Sequence, residues 1–546
     1  MNPLVRPSDI GGSRLVRDYL GGVQAAGAFF RGTPFDLECF RSKLAEVNRR
    51  FGPAERQQAA DALRPTTPRA AARLARFVEE GGAMITTGQQ AGFLTGPLFA
   101  VHKALSTVVL ARHLEEKLGA LILPVFWVAT DDHDWAEVNH AHLVDRNGRL
   151  RRFDLPTVDD DLPLPMSERR LEGDLDSLCD EISQAVGDSG YSGGNIAHIL
   201  DPYRRSGTTM GEAFRAAIHG LFGEYDLLVT DAADPVVKRG SREVLRVALT
   251  DAAVHEERLR ARTAEIERQG YQSQVAVLET GTNVFFRTGE GRERLFRSGD
   301  EFVVRSNGDA LARAELLSLL ESEPERFSPN VLLRPVVESA VFPTLAYVGG
   351  PSEVAYFAQV SALFDAYGIE PPAVVPRYSG IVVEAAVERV MGELGLEIED
   401  LVYSRDMLVD RVARREIPDP VSEALGGLRD GLAVGFEELI GRAKAVDPTL
   451  AGALGTIRNR GLAEVGRAER KIVRAVKRSE HTSLGQLDRV LNALRPNGSP
   501  QERVLNVLPY VSRYGEHFLK EIERSIVESW PLPEHKEVGI GCDAAG

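Results

Sequence analysis

The sequence predicts an α/β protein in which an open parallel sheet is interrupted by two insertions and followed by a helical arm. A short apolar run at 83–87 leads through a glycine-rich loop and a helical pattern to a second apolar run at 121–129. This is the β-α-β order of a parallel sheet. Two stretches, at about 150–220 and about 280–308, break the alternation, and the chain beyond about 382 is helical in pattern. The core is therefore expected over 1–380.

The remaining elements of the core follow from local patterns. Polar helices are predicted before residue 80, and apolar runs predict further strands at 227–230, 275–278 and 373–375. One long helix is expected between Pro235 and Gln269. The first insertion contains extended pieces, helices and a glycine-rich stretch at 189–195, whereas the alternation at 280–308 predicts antiparallel hairpins.

The last third of the chain predicts an antiparallel helical arm over 382–482. Apolar residues recur every seven positions in a heptad-like stripe, and two further helices are expected at about 421–445 and 448–479. The stripe consists of Val387, Leu394, Leu401 and Leu408. Residues 483–546 are expected to return to the core.

Composition excludes several classes of protein. The 546 residues are 43% hydrophobic and 27% charged, which is typical of a globular chain. The net charge of −15 gives no basic field for nucleic acid, so no nucleic-acid partner is expected. The longest apolar run is too short to cross a membrane. Three widely spaced cysteines, and a first segment without a secretory pattern, predict a cytoplasmic protein.

The glycine-rich loop TGQQAGFLTGP at 87–97 is the most informative motif. Its glycines allow the backbone to approach a ligand closely, and the following helix N-terminus favours an anion. Thr95 is expected to cap that helix, and Lys103 lies about two turns into it. The predicted nucleotide or anion contacts are Gln89, Gln90, Gly92, Thr95, Gly96 and Lys103. A tight turn that needs glycine only for its geometry is the alternative, since the spacing matches neither the dinucleotide fingerprint nor the P-loop.

Acidic residues and histidines follow the second apolar run. Asp132, His133 and Asp134 are the predicted catalytic residues, because carboxylates beside an imidazole can bind an ammonium group or Mg²⁺ and can accept a proton. Asn139 is a predicted substrate contact. A bound transition metal and a solvated loop remain the alternatives, and no transition metal is expected.

Two later motifs contribute further candidates. Arg334 lies in the segment PERFSPNVLLRP, and YVGGPSE at 347–353 is a second glycine-proline loop before a helix. Arg377 follows an apolar strand in VVPRYSG. Arg334, Gly350, Ser352 and Arg377 are therefore predicted substrate contacts, with a helix cap and a core helix as the alternative for the glycine-proline loop.

Long strings of this sequence resemble the bacillithiol biosynthesis cysteine-adding enzyme family. They are TGQQAGFLTGPLFAVHKA (87–104), PVFWVATDDHDWAEVNH (124–140), PERFSPNVLLRPVVESAVFPTLAYVGGPSEVAYFAQ (324–359), VVPRYSG (374–380) and NGSPQERVLNVLPYVSRYGEHFL (497–519). The resemblance covers nearly the whole chain.

The resemblance implies a fold and an activity. The fold is a Rossmann-like core similar to class I aminoacyl-tRNA synthetases and nucleotidylyltransferases, with two connective insertions and a coiled-coil arm that forms a homodimer. The activity is that of a ligase joining L-cysteine to glucosaminyl-malate, giving bacillithiol. ATP or ADP is the expected nucleotide, with Mg²⁺ as a further candidate. The HxGH tetrapeptide of the wider superfamily is absent, so its adenylate chemistry does not transfer residue by residue.

The proposed reaction is formation of an amide after activation of a carboxylate by ATP. Asp132, His133 and Asp134 would bind the amine or Mg²⁺, with His133 or an aspartate as the base. Two other classes remain open: a nucleotide-binding scaffold without chemistry of its own, and a metal-dependent hydrolase that uses the acidic cluster.

Overall fold

The computed structural model describes residues 4–156, 162–187, 196–479 and 481–534. Backbone contacts divide the chain into two units. The arm unit comprises residues 147–150 and 383–501. The core unit comprises the other described residues, including those from 502 onward.

The core unit is built on a six-stranded sheet. Its strands are β1 (Arg64–Pro65), β2 (Ala83–Gln89), β3 (Ile122–Val128), β4 (Leu228–Asp231), β5 (Thr344–Gly349) and β6 (Ala373–Pro376). Their order is β6-β5-β2-β3-β4-β1, and all neighbours are parallel except β1 and β4. The strands predicted at 83–87, 121–129, 227–230 and 373–375 are confirmed. The carboxyl ends of β2 to β6 lie along one edge of the sheet, here called the carboxyl edge.

The strand predicted at 275–278 is wrong, and a buried glutamine explains why. The backbone N–H groups of Gln274 and Val275 donate to Oε1 of Gln359, at 3.1 and 2.9 Å, while Nε2 of Gln359 donates to the Val275 carbonyl. One side chain therefore satisfies backbone groups that a neighbouring strand would otherwise pair.

Helices cover both faces of the sheet. The helix after β2, α1 (Leu98–Leu118), is buried on nearly every side, as expected for a helix enclosed within a large core. The long helix predicted from Pro235 is instead two helices that meet at Asp251. The Thr250 hydroxyl donates to the Arg246 carbonyl one turn earlier, a bond that often bends helices. The helices of the core unit, apart from single 3₁₀ turns and Gln501–Val504 at the unit boundary, are Arg14–Leu20, Gln24–Gly27, Leu37–Arg50, Pro53–Asp61, Pro68–Glu80, Leu98–Leu118, Trp135–Val138, Leu175–Val186, Ala197–Arg204, Met210–Leu221, Pro235–Thr250, Ala252–Arg268, Arg313–Ser322, Arg334–Val341, Pro351–Phe364, Leu508–Tyr514 and His517–Ser529.

The region predicted as hairpins forms an antiparallel sheet of five strands, here called the hairpin sheet. Its strands are Gly281–Thr288, Gly291–Ser298, Glu301–Val304, Ala310–Ala312 and Phe327–Pro329. The hairpin prediction is confirmed. The remaining strands of the described residues form two pairs. Leu4–Pro7 pairs with Gly380–Val383, and His140–Val144 pairs with Leu150–Asp154. The glycine-rich stretch at 189–195 lies outside the described residues.

The arm unit is helical. Its helices are Ala385–Leu394, Arg405–Arg415, α2 (Asp419–Ala443), α3 (Leu450–Ser479) and His481–Leu494, and α2 packs along α3. The helices predicted at 421–445 and 448–479 are confirmed. The heptad-like stripe is not one helix, because Gly395 ends the first helix in the left-handed conformation (φ 63°) and a short 3₁₀ segment follows.

Within the described residues, no helix combines the length and the apolar character that a membrane span requires. Cys39 and Cys179 are free thiols, and Cys542 lies outside the part of the chain that the structure describes.

Candidate functional site at the carboxyl edge

Four neighbouring strands deliver the predicted site residues to the carboxyl edge. The last two residues of β2, Gly88 and Gln89, are also the first two residues of the glycine loop (residues 88–97). β3 continues into the acidic loop (residues 130–134), β5 into Gly350, and β6 into Arg377. Parallel pairing places these segments side by side, which is where open α/β sheets bind ligands.

The glycine loop has a strained backbone. Leu94, Thr95 and Gly96 all adopt positive φ, at 53°, 74° and 75°. A Cβ atom on Gly92 would lie 2.9 Å from the Cα of Gly96, so a larger residue does not fit there. A non-glycine residue with a positive φ destabilises the fold, and this conformation persists only where the surrounding structure holds it.

Asn506 helps to hold residues 94–96 in this conformation. Its Nδ2 donates to the carbonyls of Leu94 and Gly96, at 2.7 and 2.8 Å, and its Oδ1 accepts from the N–H of Leu508. The side chain is buried. Asn506 therefore fixes both ends of the strained segment.

The predicted capping role of Thr95 is wrong. α1 begins at Leu98 after Pro97, and its first N–H donates to the Leu505 carbonyl at 2.8 Å. The Thr95 hydroxyl is instead buried and has no hydrogen-bond partner in the described residues. It is a polar group at the carboxyl edge that a ligand could satisfy.

Lys103 ties the glycine loop to the helix after β5, α4 (Pro351–Phe364). Its Nζ donates to the Gly88 carbonyl at 2.7 Å and to Oε1 of Gln89 at 3.0 Å, and it pairs with Glu353 at 2.5 Å. An ammonium group has three hydrogens, so these acceptors occupy all of them. This geometry makes Lys103 a brace of the loop.

Glu353 is the centre of this brace. Besides Lys103 it accepts the Gly350 N–H at 2.7 Å and the hydroxyl of Tyr347. Burial works to raise the pKa of Glu353, but these donors outweigh it and the net pKa is lowered. Burial in turn lowers the pKa of Lys103. Gly350 thus acts through its backbone, and Ser352 is exposed in the first turn of α4.

Arg334 lies against the glycine loop. It pairs with Glu338, donates to the Tyr356 hydroxyl at 3.0 Å, and sits 5.0 Å from the ring centre of Tyr347. A Cβ atom on Gly88 would be 3.6 Å from its Nη1. The structure therefore brings Arg334, which is distant in sequence, to the start of the glycine loop.

Arg377 is buried and already neutralised. Its Nη1 and Nη2 donate to the two carboxylate oxygens of Glu502, at 2.9 and 2.6 Å. Glu502 also accepts from Nδ1 of His102 at 2.9 Å and from the Ser379 hydroxyl at 3.0 Å. Burial raises the pKa of Glu502, but His102 and Arg377 outweigh it and hold that pKa well below its usual range.

The acidic loop is organised around Asp132. Its Oδ2 accepts from Nε2 of Gln90 at 2.6 Å, and its Oδ1 accepts the N–H of His133 at 2.7 Å. Gln90 also donates to Glu137 at 3.0 Å. The predicted residues Gln90 and Asp132 are thus in direct contact, and two carboxylates meet at one amide.

The other predicted residues of this region make local contacts. Asp134 caps the short helix Trp135–Val138 by accepting the Glu137 N–H at 3.2 Å. Asn139 hydrogen-bonds with Nδ1 of the adjacent His140.

The hydrogen bonds of His133 determine its tautomer. Nη1 of Arg292 lies 3.2 Å from its Nδ1. Because arginine can only donate, Nδ1 must accept, and the remaining proton of the neutral ring is on Nε2. Burial, followed by the charge of Arg292, lowers the pKa of His133. In this arrangement His133 offers a hydrogen-bond donor rather than a base.

Several residues at this edge were not predicted from the sequence, and four of them make contacts across the chain. Arg292 comes from the hairpin sheet, and the buried Lys238 binds Asp131 at 2.7 Å and the Phe327 carbonyl. Glu502 and Asn506 lie in the string at 497–519 that carries the resemblance, which is the signal that could have found them. The sequence around Arg292 and Lys238 contains no comparable motif. In the described residues, no group of three or more histidine, cysteine, aspartate or glutamate side chains is placed to hold a metal ion.

The fold and this edge define a Rossmann-like core joined to a helical arm. The model of the N-terminal Rossmann-like domain of bacillithiol biosynthesis BshC matches residues 5–378, and that of the BshC C-terminal coiled-coil domain matches residues 380–527. The chain belongs to the BshC family, which confirms the family and fold that the sequence predicted.

Curated relatives cover nearly the whole chain. Proteins named "Putative cysteine ligase BshC" include one from Koribacter versatilis, 32% identical over 540 residues that make up 97% of each chain. The protein of that name from Salinibacter ruber is 29% identical over 95% of this chain and 91% of its own. That from Symbiobacterium thermophilum is 32% identical over 82% of both.

Proposed function

We propose that the protein is a cysteine ligase of bacillithiol biosynthesis, which joins the carboxyl group of L-cysteine to the amine of glucosaminyl-malate. The near full-length similarity to the curated cysteine ligases carries this proposal. The carboxyl edge supports it, because the loop after β3 offers an acceptor for an ammonium group in Asp132 and a hydrogen-bond donor in Nε2 of His133.

Amide formation from a free carboxylate is uphill in water, and ATP would supply the energy by activating the cysteine carboxylate. The glycine loop would contact such a ligand, since it lies at the carboxyl edge and its Thr95 hydroxyl has no partner in the described residues. Gln89, Gln90, Gly92 and Gly96 would contribute to the same contact surface. Mg²⁺ belongs to this proposal as the counter-ion of the nucleotide.

The side chains of the acidic loop would position the amine. Asp132 would bind the ammonium form and accept its proton, because His133 has its only free lone pair engaged by Arg292. His133 would donate from Nε2 to a substrate oxygen. Arg334 and Lys103 would hold the glycine loop in place, and Arg377 would do the same through Glu502.

The comparisons do not support the two other classes of function, a nucleotide-binding scaffold and a metal-dependent hydrolase. The curated relatives carry the name of a ligase, and none of those compared above is named as a scaffold or a hydrolase. We include a cytoplasmic location in the proposal, since the two described cysteines are free thiols.

A homodimer formed through the arm is also part of the proposal. α2 has no buried residue over its length, although it carries large apolar side chains. Leu428, Val434 and Leu439 are 53%, 67% and 47% exposed. Apolar residues left uncovered along a helix are typical of an association surface. A second copy of the same arm would cover them.

Deletion of the gene in its host, followed by mass spectrometry of alkylated thiols, tests the proposed function. We expect bacillithiol to disappear, glucosaminyl-malate to accumulate, and the wild-type gene to restore the thiol. Asp132→Asn should fail to restore it, whereas Asp300→Asn, a control at a carboxylate whose side chain is 99% exposed, should succeed. Persistence of bacillithiol in a strain without a second copy of the gene would refute the assignment.

A further inference from the structure

Two arginines of the hairpin sheet flank one aromatic ring. The Cζ atoms of Arg292 and Arg294 lie 3.9 and 5.2 Å from the ring centre of Phe285. Arg294 and Phe285 are direct partners across neighbouring antiparallel strands, so their side chains share one face of the sheet. Arg292 is two residues before Arg294 and therefore lies on the same face.

Neither guanidinium has a carboxylate partner within the described residues. Arg292 donates to three neutral acceptors: Nδ1 of His133, the Ser328 hydroxyl at 2.8 Å and the Pro329 carbonyl at 3.1 Å. For Arg294, the ring of Phe285 is the contact that the structure gives. The neighbouring Arg287, by contrast, is paired with Glu168 at 2.7 Å.

This arrangement is electrostatically unfavourable without an anion. Burial lowers the pKa of both arginines, and the charge of Arg292 further lowers that of Arg294. Asp131 and Asp132 attract Arg292 from beyond contact distance, but Asp131 is bound by Lys238 and Asp132 by Gln90. Removing a cation from water without pairing it costs free energy. Two like charges at one ring add to that cost.

We infer that Arg292 and Arg294, with Phe285 between them, form a binding site for an anionic group of a substrate, either a carboxylate or a phosphate. Guanidinium groups bind both of these planar or tetrahedral anions through paired N–H donors. Arg292 joins this site to the acidic loop, because the same side chain contacts His133. The inference rests on the proposed function for the identity of the ligand but not for the existence of the site.

The carboxylate and the phosphate would come from two different ligands, which separate binding experiments can distinguish. A carboxylate would come from the malate part of glucosaminyl-malate, and a phosphate would come from the nucleotide. L-Malate, inorganic phosphate and ADP are therefore the three probes, each titrated calorimetrically into the full-length protein at low ionic strength. Binding of malate alone would assign the site to the carboxylate, whereas binding of phosphate or ADP would assign it to the nucleotide.

Arg294→Gln is the decisive variant, because no hydrogen bond of this side chain in the described residues would be lost. We expect at least tenfold weaker binding of the recognised probe in Arg294→Gln, and a comparable loss in Arg292→Gln. The matched control is Arg305→Gln, since Arg305 stacks on Phe296 of the same sheet at 3.5 Å but is exposed. That control should bind as the wild type does.

Thermal unfolding of each variant shows whether the fold is intact before binding is compared. The inference is overturned if none of the three probes binds the wild type, or if Arg294→Gln folds and binds the recognised probe as tightly as Arg305→Gln. Neither result depends on turnover. Loss of bacillithiol in the deletion strain would still support the ligase assignment, so the two failures are distinguishable.

Discussion

Both Nη atoms of Arg377 bind the carboxylate of Glu502, which lies 125 residues further along the chain. The same carboxylate accepts from Nδ1 of His102 in α1. Glu502 therefore joins the end of β6 to the helix that follows the glycine loop. A predicted substrate-binding arginine is in this structure one half of a buried ion pair.

Glu502→Gln should destabilise the core unit by about 3–5 kcal/mol, because it leaves the Arg377 cation buried without a counter-charge. The stability should also depend less on pH. The lowered pKa of Glu502 stabilises the fold above the unfolded pKa of about 4.3, and this contribution is lost as the pH falls towards the folded value. The wild type should therefore lose stability more steeply than the variant below that pH.

Tryptophan fluorescence in denaturant measures this effect, since Trp127, Trp135 and Trp530 all lie in the core unit. Glu528→Gln serves as the control, because the side chain of Glu528 is 67% exposed. Equal midpoints for the two variants would contradict a stabilising role for the Arg377–Glu502 pair.

Lys103→Met should also cost about 3–5 kcal/mol, since Glu353 would remain buried without its cation. The double variant Lys103→Met/Glu353→Gln should recover part of that loss, because the unpaired charge is then removed. A double-mutant cycle by chemical denaturation measures the coupling. Additive effects of the two single variants would show that the pair is not coupled.

Asn506→Asp should release the glycine loop. A carboxylate cannot donate to the carbonyls of Leu94 and Gly96, and each buried acceptor left without a donor costs about 1–3 kcal/mol. We expect faster amide hydrogen exchange in residues 92–98 and at least tenfold less bacillithiol in the complemented strain. Asn459→Asp, on the exposed surface of α3, is the control. An unchanged rate of amide exchange in a folded Asn506→Asp protein would contradict the proposal that Asn506 holds the glycine loop in place.

His133→Gln and His133→Ala distinguish a hydrogen-bond donor from a base. If Nε2 of His133 donates to substrate, the amide of glutamine should replace it in part, so His133→Gln should retain at least tenfold more activity than His133→Ala. Asp132→Asn should lose about 10²–10⁴-fold, as expected for the group that accepts the proton. Restoration of thiol synthesis in the deletion strain compares all three. Equal inactivity of the two histidine variants would favour the imidazole as the base.

Val434→Glu should convert a dimer to a monomer, because a charge at the centre of a covered apolar surface is costly to bury. Light scattering measures the mass. Val527→Glu is the matched control, since Val527 is 57% exposed in the core unit and should leave the mass unchanged. A wild-type protein that is monomeric would refute the homodimer.

Local patterns in the sequence were sufficient for much of the fold and for part of the site. The strands at 83–89 and 122–128 contain the short apolar runs that predict them, and their parallel order alone brings Gln90 towards Asp132. The strand at 275–278 was wrong, because Gln359, 84 residues away, binds that backbone. The contacts of Arg292 with His133 and of Glu502 with His102 span 159 and 400 residues. No local periodicity encodes such pairs.

The distance in sequence between Asn506 and Leu94, 412 residues, has a consequence for synthesis of the chain on the ribosome. Domains generally fold as they emerge, with the N-terminal parts first. The glycine loop leaves the ribosome early, but the side chain that holds its strained residues emerges only after the whole arm has been translated. Until Asn506 has been translated, the glycine loop of the nascent core therefore lacks the hydrogen bonds that hold its strained residues. A fragment that ends before Asn506 lacks these hydrogen bonds even if its sheet has formed.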